Sequence, residues 1–218
     1  MAFSGRSAHA ESFSFLAPGF GQATITTDTN AVTVQLTDLV VNPTGDISNL
    51  SAFLFTLDVA PSNASLIGSS AQEVHIGGPD YELGPEVSPG WVLSLSGATT
   101  NLDVLSGPGH AGPAETIVGS PGTNGYTNAN GSLTNGAHNP FLYETAIWTL
   151  TETGVTADTT VTDAIFQGGT QDGSNRIAGT LTNQFNGNQA APAPEPSTIA
   201  MVACGAVLLG LSRLRRKS

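Results

Sequence analysis

The sequence predicts an all-β protein: a single domain with an antiparallel β-sandwich or jelly-roll-like fold, followed by a C-terminal transmembrane helix. Three observations lead to this prediction. Short runs of alternating apolar and polar residues recur along the chain, and turn-forming residues separate them. No segment before the C-terminal tail keeps the 3.6-residue period of an amphipathic helix. The 218 residues, with 26 glycines and 13 prolines, leave room for one medium-sized domain and a tail.

Composition divides the chain into four regions. Ala8-His9-Ala10 fits the small-x-small pattern of a signal-peptidase site, although the residues before it are too few for an apolar leader. We therefore expect a truncated start, with the mature chain beginning near Glu11. The predicted regions are a signal-peptide remnant (1–10), a β-domain (11–189), a Pro/Ala linker (190–194) and a C-terminal tail (194–218).

Strands are predicted in the first half of the chain wherever apolar and polar side chains alternate. Val32, Val34 and Leu36 fall on one face of such a run, and Asp28 to Asn30 supplies the turn of a hairpin with the run before it. In another run Leu54 makes the second face partly apolar, which indicates a central strand. The predicted strands cover residues 12–15, 23–27, 32–40, 53–59, 65–70, 73–76, 91–96 and 102–105.

The second half begins with a long excursion, residues 107–140, that is rich in Gly, Asn, Pro and Ser. A weak edge strand is predicted within it at 115–118. The strongest strand of the chain follows at 141–151, with four side chains predicted on its core face: Leu142, Ala146, Trp148 and Leu150. Further strands are predicted at 159–166 and 177–181.

The charge of the body is strongly one-sided. All 17 acidic residues lie between Glu11 and Glu195, and Arg176 is the only lysine or arginine in that span, so the span carries a net charge of about −16 (17 acids against 1 base). A span with this negative charge repels the phosphate backbones of nucleic acids, so no nucleic-acid partner is expected. Cys204, the single cysteine, lies in the tail, so the body has no disulfide and no thiolate metal site.

No catalytic constellation stands out, and we expect a non-enzymatic protein. Glu73 and His75 would share one face of a strand, where they could serve as metal ligands or as an acid–base pair, but a polar outer face is the favoured interpretation. The chain has no Gly-x-Ser-x-Gly motif. A secreted hydrolase is therefore the weakest of the functions considered.

No cofactor and no metal site are expected, and calcium is the one candidate that the acidic loops leave open. Calcium takes oxygen ligands. Three groups of oxygen donors qualify, although none completes a known calcium loop: Asp80 with Glu82, Asp158 with Asp163, and the segment 172–175.

Five aromatic residues are candidates for a platform on which sugar rings stack. Tyr81 and Trp91 flank a predicted loop, 84–90, and are the better candidates for exposure. Trp148 is predicted to lie in the core because of its alternation, and Tyr126 and Tyr143 complete the set. These residues make a secreted carbohydrate-binding module the alternative function.

The last 25 residues consist of three parts. A polar motif comes first: Pro194, Glu195 and Pro196. An uncharged, largely apolar run follows, with candidate transmembrane residues Ile199, Met201, Val202, Val207, Leu208, Leu209 and Leu211. A basic end closes the chain: Arg213, Arg215, Arg216 and Lys217. An apolar run followed by a basic cluster is typical of a segment that stops in a membrane with its charges on the cytoplasmic side.

This combination resembles the PEP-CTERM sorting signal of exported bacterial proteins. The resemblance covers only residues 194–218 and implies an exosortase-type membrane protease as partner, which acts near the Pro-Glu-Pro motif. It also implies that the chain is exported, held transiently in the inner membrane by the tail, and then located at the cell surface or outside the cell. The expected role is adhesion or structure in a biofilm or exopolysaccharide matrix, with extracellular polysaccharide as a second candidate partner.

Overall fold

The structure is a computed structural model that describes residues 10–106 and 112–185, and it confirms a single all-β domain. A 3-10 turn (Asp46–Ser48) lies between the third and fourth strands. In chain order the strands are β1 (Glu11–Ala17), β2 (Gly21–Asp28), β3 (Ala31–Asp38), β4 (Leu50–Leu57), β5 (Ala64–Ile76), β6 (Tyr81–Val87), β7 (Val92–Ser96), β8 (Thr99–Asp103), β9 (Ile117–Val118), β10 (Phe141–Glu152), β11 (Val161–Gly168), β12 (Arg176–Ala178) and β13 (Thr180–Phe185).

Seven strands form a first antiparallel series in the order β13-β1-β2-β3-β10-β5-β6. The predicted hairpin is confirmed within it. The pairing of β2 with β3 closes with Asp28 opposite Ala31, so Thr29 and Asn30 form the turn. Asn30 has a φ of 53°, a left-handed conformation that asparagine adopts more readily than most residues.

Five strands form a second antiparallel series in the order β12-β11-β4-β8-β7. Strand β4 has β11 on one side and β8 on the other, which confirms the prediction from Leu54 that this strand is central. Strand β9 joins the two series, because Ile117 pairs with Leu50 of β4 while β9 runs parallel to β10. All the strands of the described residues thus belong to one mixed, mostly antiparallel sheet.

The two series bury their apolar side chains in a shared core cluster. Phe166 of β11 lies so close to Gly21 of β2 that a Cβ at Gly21 would be 2.9 Å from the phenyl ring. The rings of Trp91 and Trp148 meet with centroids 4.7 Å apart. These contacts connect segments that do not pair through their backbones, so side-chain packing adds to the backbone connection that β9 makes between the two series.

Strand β10 confirms the strongest strand prediction. The four side chains predicted for its core face, Leu142, Ala146, Trp148 and Leu150, are fully buried. Ile147, on the other face, is 40% exposed. Burial of these apolar groups is what fixes the register of the strand, because a slip by one residue would move them all to solvent.

The described part of the predicted excursion, residues 112–140, contributes to a second and smaller core cluster. This cluster contains Val74, Ile76, Val118, Tyr126, Leu133 and Phe141. The Tyr126 hydroxyl donates a 2.8 Å hydrogen bond to the carbonyl oxygen of Gly119, which ties the segment to itself. The excursion is therefore an ordered cover over one end of β5 and β10.

The strand residues predicted at 65–70 and 73–76 are confirmed, but the break between them and the loop after them were predicted wrongly. The runs predicted at 65–70 and 73–76 form one continuous strand, β5. Most of the loop predicted at 84–90 is strand β6, which extends to Val87. Gly84 and Pro85 interrupt the alternation, and β6 accepts a proline because it pairs only with β5 and needs no amide hydrogen bond on its outer edge.

Two further predictions placed strands wrongly in the sheet. The run at 115–118 was expected at an edge, but β9 lies between β4 and β10, and both of its residues are fully buried. The run at 177–181 is two strands divided by Gly179: β12 pairs with β11, and β13 pairs with β1. The chain thus passes from one strand series to the other within a single predicted strand.

Candidate functional site

The outer face of the ribbon β10–β5–β6 is the best candidate for a functional surface. Alternation places Tyr143, Thr145 and Ile147 of β10 on the face that points away from the main core. The register brings onto the same face Ser70 and Gln72 of β5, and Tyr81, Leu83 and Glu86 of β6. We call these eight residues the ribbon face.

Three tyrosines gather at one end of the ribbon face. Tyr81 is 40% exposed, and its ring is nearly parallel to that of Tyr143, at an angle of 10° and with centroids 6.4 Å apart. The fully buried ring of Tyr126 meets Tyr81 edge to face at 5.4 Å. Leu83 is 44% exposed on the same side of β6. Tyr81 therefore offers an aromatic surface to solvent while two other rings hold it from behind.

A close backbone contact positions the tyrosines. The amide of Tyr126 donates to the carbonyl oxygen of Pro79 at 3.1 Å, two residues before β6 begins. Gly125 has a φ of 83°, and a Cβ at this residue would lie 2.0 Å from the Pro79 oxygen. Only glycine allows the two loops to approach this closely.

An irregularity in β10 displaces the backbone beside Tyr143. The pairing of β10 with β5 shifts register between Leu142 and Ala146, and Glu144 takes a φ of 56° within this bulge. Bulges of this kind re-aim side chains and are common next to functional sites. Here the bulge brings the Glu144 carboxyl next to the Tyr143 hydroxyl.

Burial raises the pKa of two tyrosines in this group. Burial, the hydrogen bond and charge of Glu144, and the charge of Tyr81 raise the pKa of Tyr143 to about 12. Burial also raises the pKa of Tyr126 well above its ordinary value. Both phenols therefore stay protonated, and able to donate hydrogen bonds, to a higher pH than an ordinary tyrosine.

A shallow groove of about 380 Å³ continues the ribbon face beyond the tyrosines. Its lining consists of Ser70, Ala71, Gln72, Glu86, Thr145 and Ile147. The Ser70 hydroxyl donates to the Glu86 carboxylate, and Thr145 shares a 3.0 Å hydrogen bond with Thr37. Hydroxyl, amide and carboxylate groups beside exposed apolar surface can bind a ligand that carries both polar groups and apolar faces.

The aromatic prediction was right for Tyr81 and Trp148 and wrong for Trp91. Tyr81 is exposed, and Trp148 is fully buried in the core. Trp91 is only 3% exposed, because its ring packs on Trp148 and its Nε1 donates to the carbonyl oxygen of Glu115 at 2.8 Å. Trp91 is a core residue and cannot stack on a ligand.

The side chains considered as metal ligands do not form a group of three in the described residues. Glu73 and His75 point to the face of β5 opposite the ribbon face, and within residues 10–106 and 112–185 no three His, Cys, Asp or Glu side chains are close enough to share a metal ion. Asp172, in the segment 172–175, lies 4.0 Å from the guanidinium of Arg176, so a cation already neighbours its carboxylate.

Sequence reasoning missed three acidic residues with unusual surroundings. Asp46 lies 3.1 Å from Nδ1 of His138, 92 positions later in the chain. Asp38 and Glu152 are buried, and burial raises the pKa of both carboxyls. An isolated acidic residue in a sequence carries no signal of later burial, so only the fold identifies these groups.

The predicted sorting motif and transmembrane segment lie outside the described residues. In the part of the chain that the structure does describe, no helix is long and apolar enough to cross a membrane. Comparison of the chain with protein-family models, with curated proteins and with solved structures finds no significant match. Function must therefore be inferred from the residues of this chain.

Proposed function

We propose that this chain is an exported, non-catalytic protein of bacterial type that reaches the cell surface or extracellular matrix through a PEP-CTERM sorting signal. The observation that carries the proposal is the order of the tail: Pro194-Glu195-Pro196, an apolar run, and a basic end. In this proposal an exosortase-type membrane protease recognises the motif while the apolar run spans the inner membrane. Cleavage near the motif then frees the domain.

The β-domain suits a position outside the cell. Its strands pair in two antiparallel series with a shared core, which supports the proposed β-sandwich architecture. Its charged groups are almost all acidic, and removal of the tail would also remove four of the six basic residues of the chain. A domain of this kind can serve in adhesion or as a structural part of a biofilm or exopolysaccharide matrix.

Cell fractionation tests the proposal. In cells that contain an exosortase, and with each protein expressed behind a secretory leader placed before Glu11, the wild-type domain is expected at the surface or in the medium. A variant with Pro194, Glu195 and Pro196 replaced by alanine is expected to stay in the inner membrane. The Pro192→Ala variant is the matched control, because it removes a linker proline just outside the motif. Equal distribution of all three proteins would contradict the proposal.

Carbohydrate binding is the second candidate function, and the exposed Tyr81 favours it. An exposed aromatic ring next to a polar groove can pack on the apolar face of a sugar ring and hydrogen-bond its hydroxyl groups. A pull-down with exopolysaccharide from the producing cells tests this function. Retention of the wild-type chain is expected, and absence of retention on every polysaccharide would refute the function.

A further inference from the structure

We propose that the ribbon face binds a polysaccharide whose sugars carry free amines. This inference rests on the carbohydrate-binding function proposed above and adds the binding surface and the ligand chemistry to it. Three features of the ribbon face support it: an exposed aromatic end, a polar groove in line with that end, and acidic groups without neighbouring bases.

The aromatic end supplies contact for the apolar faces of sugar rings. A pyranose ring presents C–H groups on its flat sides, and these pack on aromatic surfaces. Tyr81 and Leu83 are both substantially exposed, and Tyr143 lies nearly parallel to Tyr81. Because Tyr126 supports Tyr81 from behind, little side-chain entropy is lost when a ligand binds.

The polar groove extends this surface along the strands. The part of β10 from Leu142 to Ile147 lies opposite Glu73 to Ser70 of β5, because the bulge shortens it, and three residue steps of β5 correspond to roughly 10 Å. This length accommodates more than one sugar ring. Ser70, Gln72 and Glu86 line the groove with a hydroxyl, an amide and a carboxylate, so sugar hydroxyl and amine groups find both acceptors and donors there.

Charge selects the class of sugar. Glu86 lies in the groove and Glu144 lies beside Tyr143. Among the described residues the only lysine or arginine is Arg176, which belongs to β12 in the other strand series. Uronate polymers would meet carboxylates with no cation to offset them, whereas ammonium groups are attracted both by the carboxylates and by the faces of the tyrosine rings.

Binding of three oligosaccharide series of equal length to the full-length chain tests the inference. The probes are chitosan, fully N-acetylated chitin and alginate oligosaccharides, measured by calorimetry at mildly acidic pH, where sugar amines are protonated. We expect chitosan to bind about tenfold more tightly than the acetylated series. Two or three contacts of ammonium groups, each as strong as an exposed cation–π contact or a surface ion pair, are enough to change the dissociation constant by this factor. Alginate is expected not to bind.

Paired variants test the surface itself. Tyr81→Ala is expected to weaken chitosan binding about fivefold or more, whereas Phe185→Ala, which removes another exposed ring on the distant strand β13, is expected to leave it unchanged. Glu86→Gln is expected to weaken binding. Glu82→Gln removes the same charge from the opposite face of β6 and serves as the matched control.

Each contrary result overturns a defined part of the inference. Equal binding of chitosan and acetylated chitin would overturn the amine preference and leave carbohydrate binding intact. Tightest binding of alginate would overturn the charge argument. Chitosan binding that is insensitive to Tyr81→Ala would overturn the assignment of the surface. Binding of none of the three series, together with no retention on exopolysaccharide, would refute the carbohydrate-binding function itself.

Discussion

The Gly125→Ala variant tests how the structure holds the tyrosines in place. Gly125 has a φ of 83°, and alanine in this left-handed region costs about 1 kcal/mol. The new methyl group would also lie 2.0 Å from the Pro79 oxygen, so the two loops must separate. Separation breaks the hydrogen bond from the Tyr126 amide to Pro79, worth about 1 kcal/mol, and the edge contact between Tyr81 and Tyr126, worth about as much.

The expected loss in the free energy of unfolding is therefore about 3 kcal/mol, measured by urea denaturation of the full-length chain. Gly97→Ala is the control, because Gly97 also has a left-handed φ, 61°, but no heavy atom lies within 4 Å of its Cβ position. This variant should lose only about 1 kcal/mol. Equal losses in the two variants would show that backbone strain alone matters and that the Pro79 contact does not position the tyrosines.

Two further substitutions probe the core. Glu152 accepts a hydrogen bond from Thr100, and burial raises the pKa of its carboxyl. The charged form of Glu152 therefore disfavours the folded state. Stability falls as the pH rises from about 4.3, the pKa in the unfolded chain, through the raised pKa in the folded protein. Glu152→Gln should raise the melting temperature at neutral pH and make it depend less on pH. An unchanged dependence of the melting temperature on pH would show that Glu152 does not cause it. Trp91→Ala should cost about 3–5 kcal/mol in urea denaturation, because Trp91 packs on Trp148 in the core, whereas a loss below about 1 kcal/mol would indicate an exposed ring.

Period-two alternation predicted the strands well where one face is buried. Trp148 is the clearest case, since its position in an alternating run placed it in the core. The same signal failed for β6, where Gly84 and Pro85 interrupt the alternation and most side chains are exposed. It also failed for Trp91, which precedes its strand and so has no periodic pattern to show which way it points.

The candidate site could be predicted only in part. Tyr81 was identified from the sequence, but its support by two other rings was not. Tyr126 lies 45 positions and Tyr143 lies 62 positions after Tyr81 in the chain, so strand pairing and loop contacts are needed to bring them together. The groove beside them arises from the register of β5 with its neighbours and from the bulge at Glu144. Register and bulges are tertiary features, and a local sequence pattern does not specify them.

The most direct test of the proposed function is the intact mass of the protein, expressed behind a secretory leader and recovered from cells with and without an exosortase-type protease. With the protease, the account predicts a mass that has lost the apolar run and the basic end, with the new C-terminus near Pro194-Glu195-Pro196. Without it, the tail should remain. Retention of the complete tail in the presence of a protease that processes a known substrate in the same cells would contradict the account.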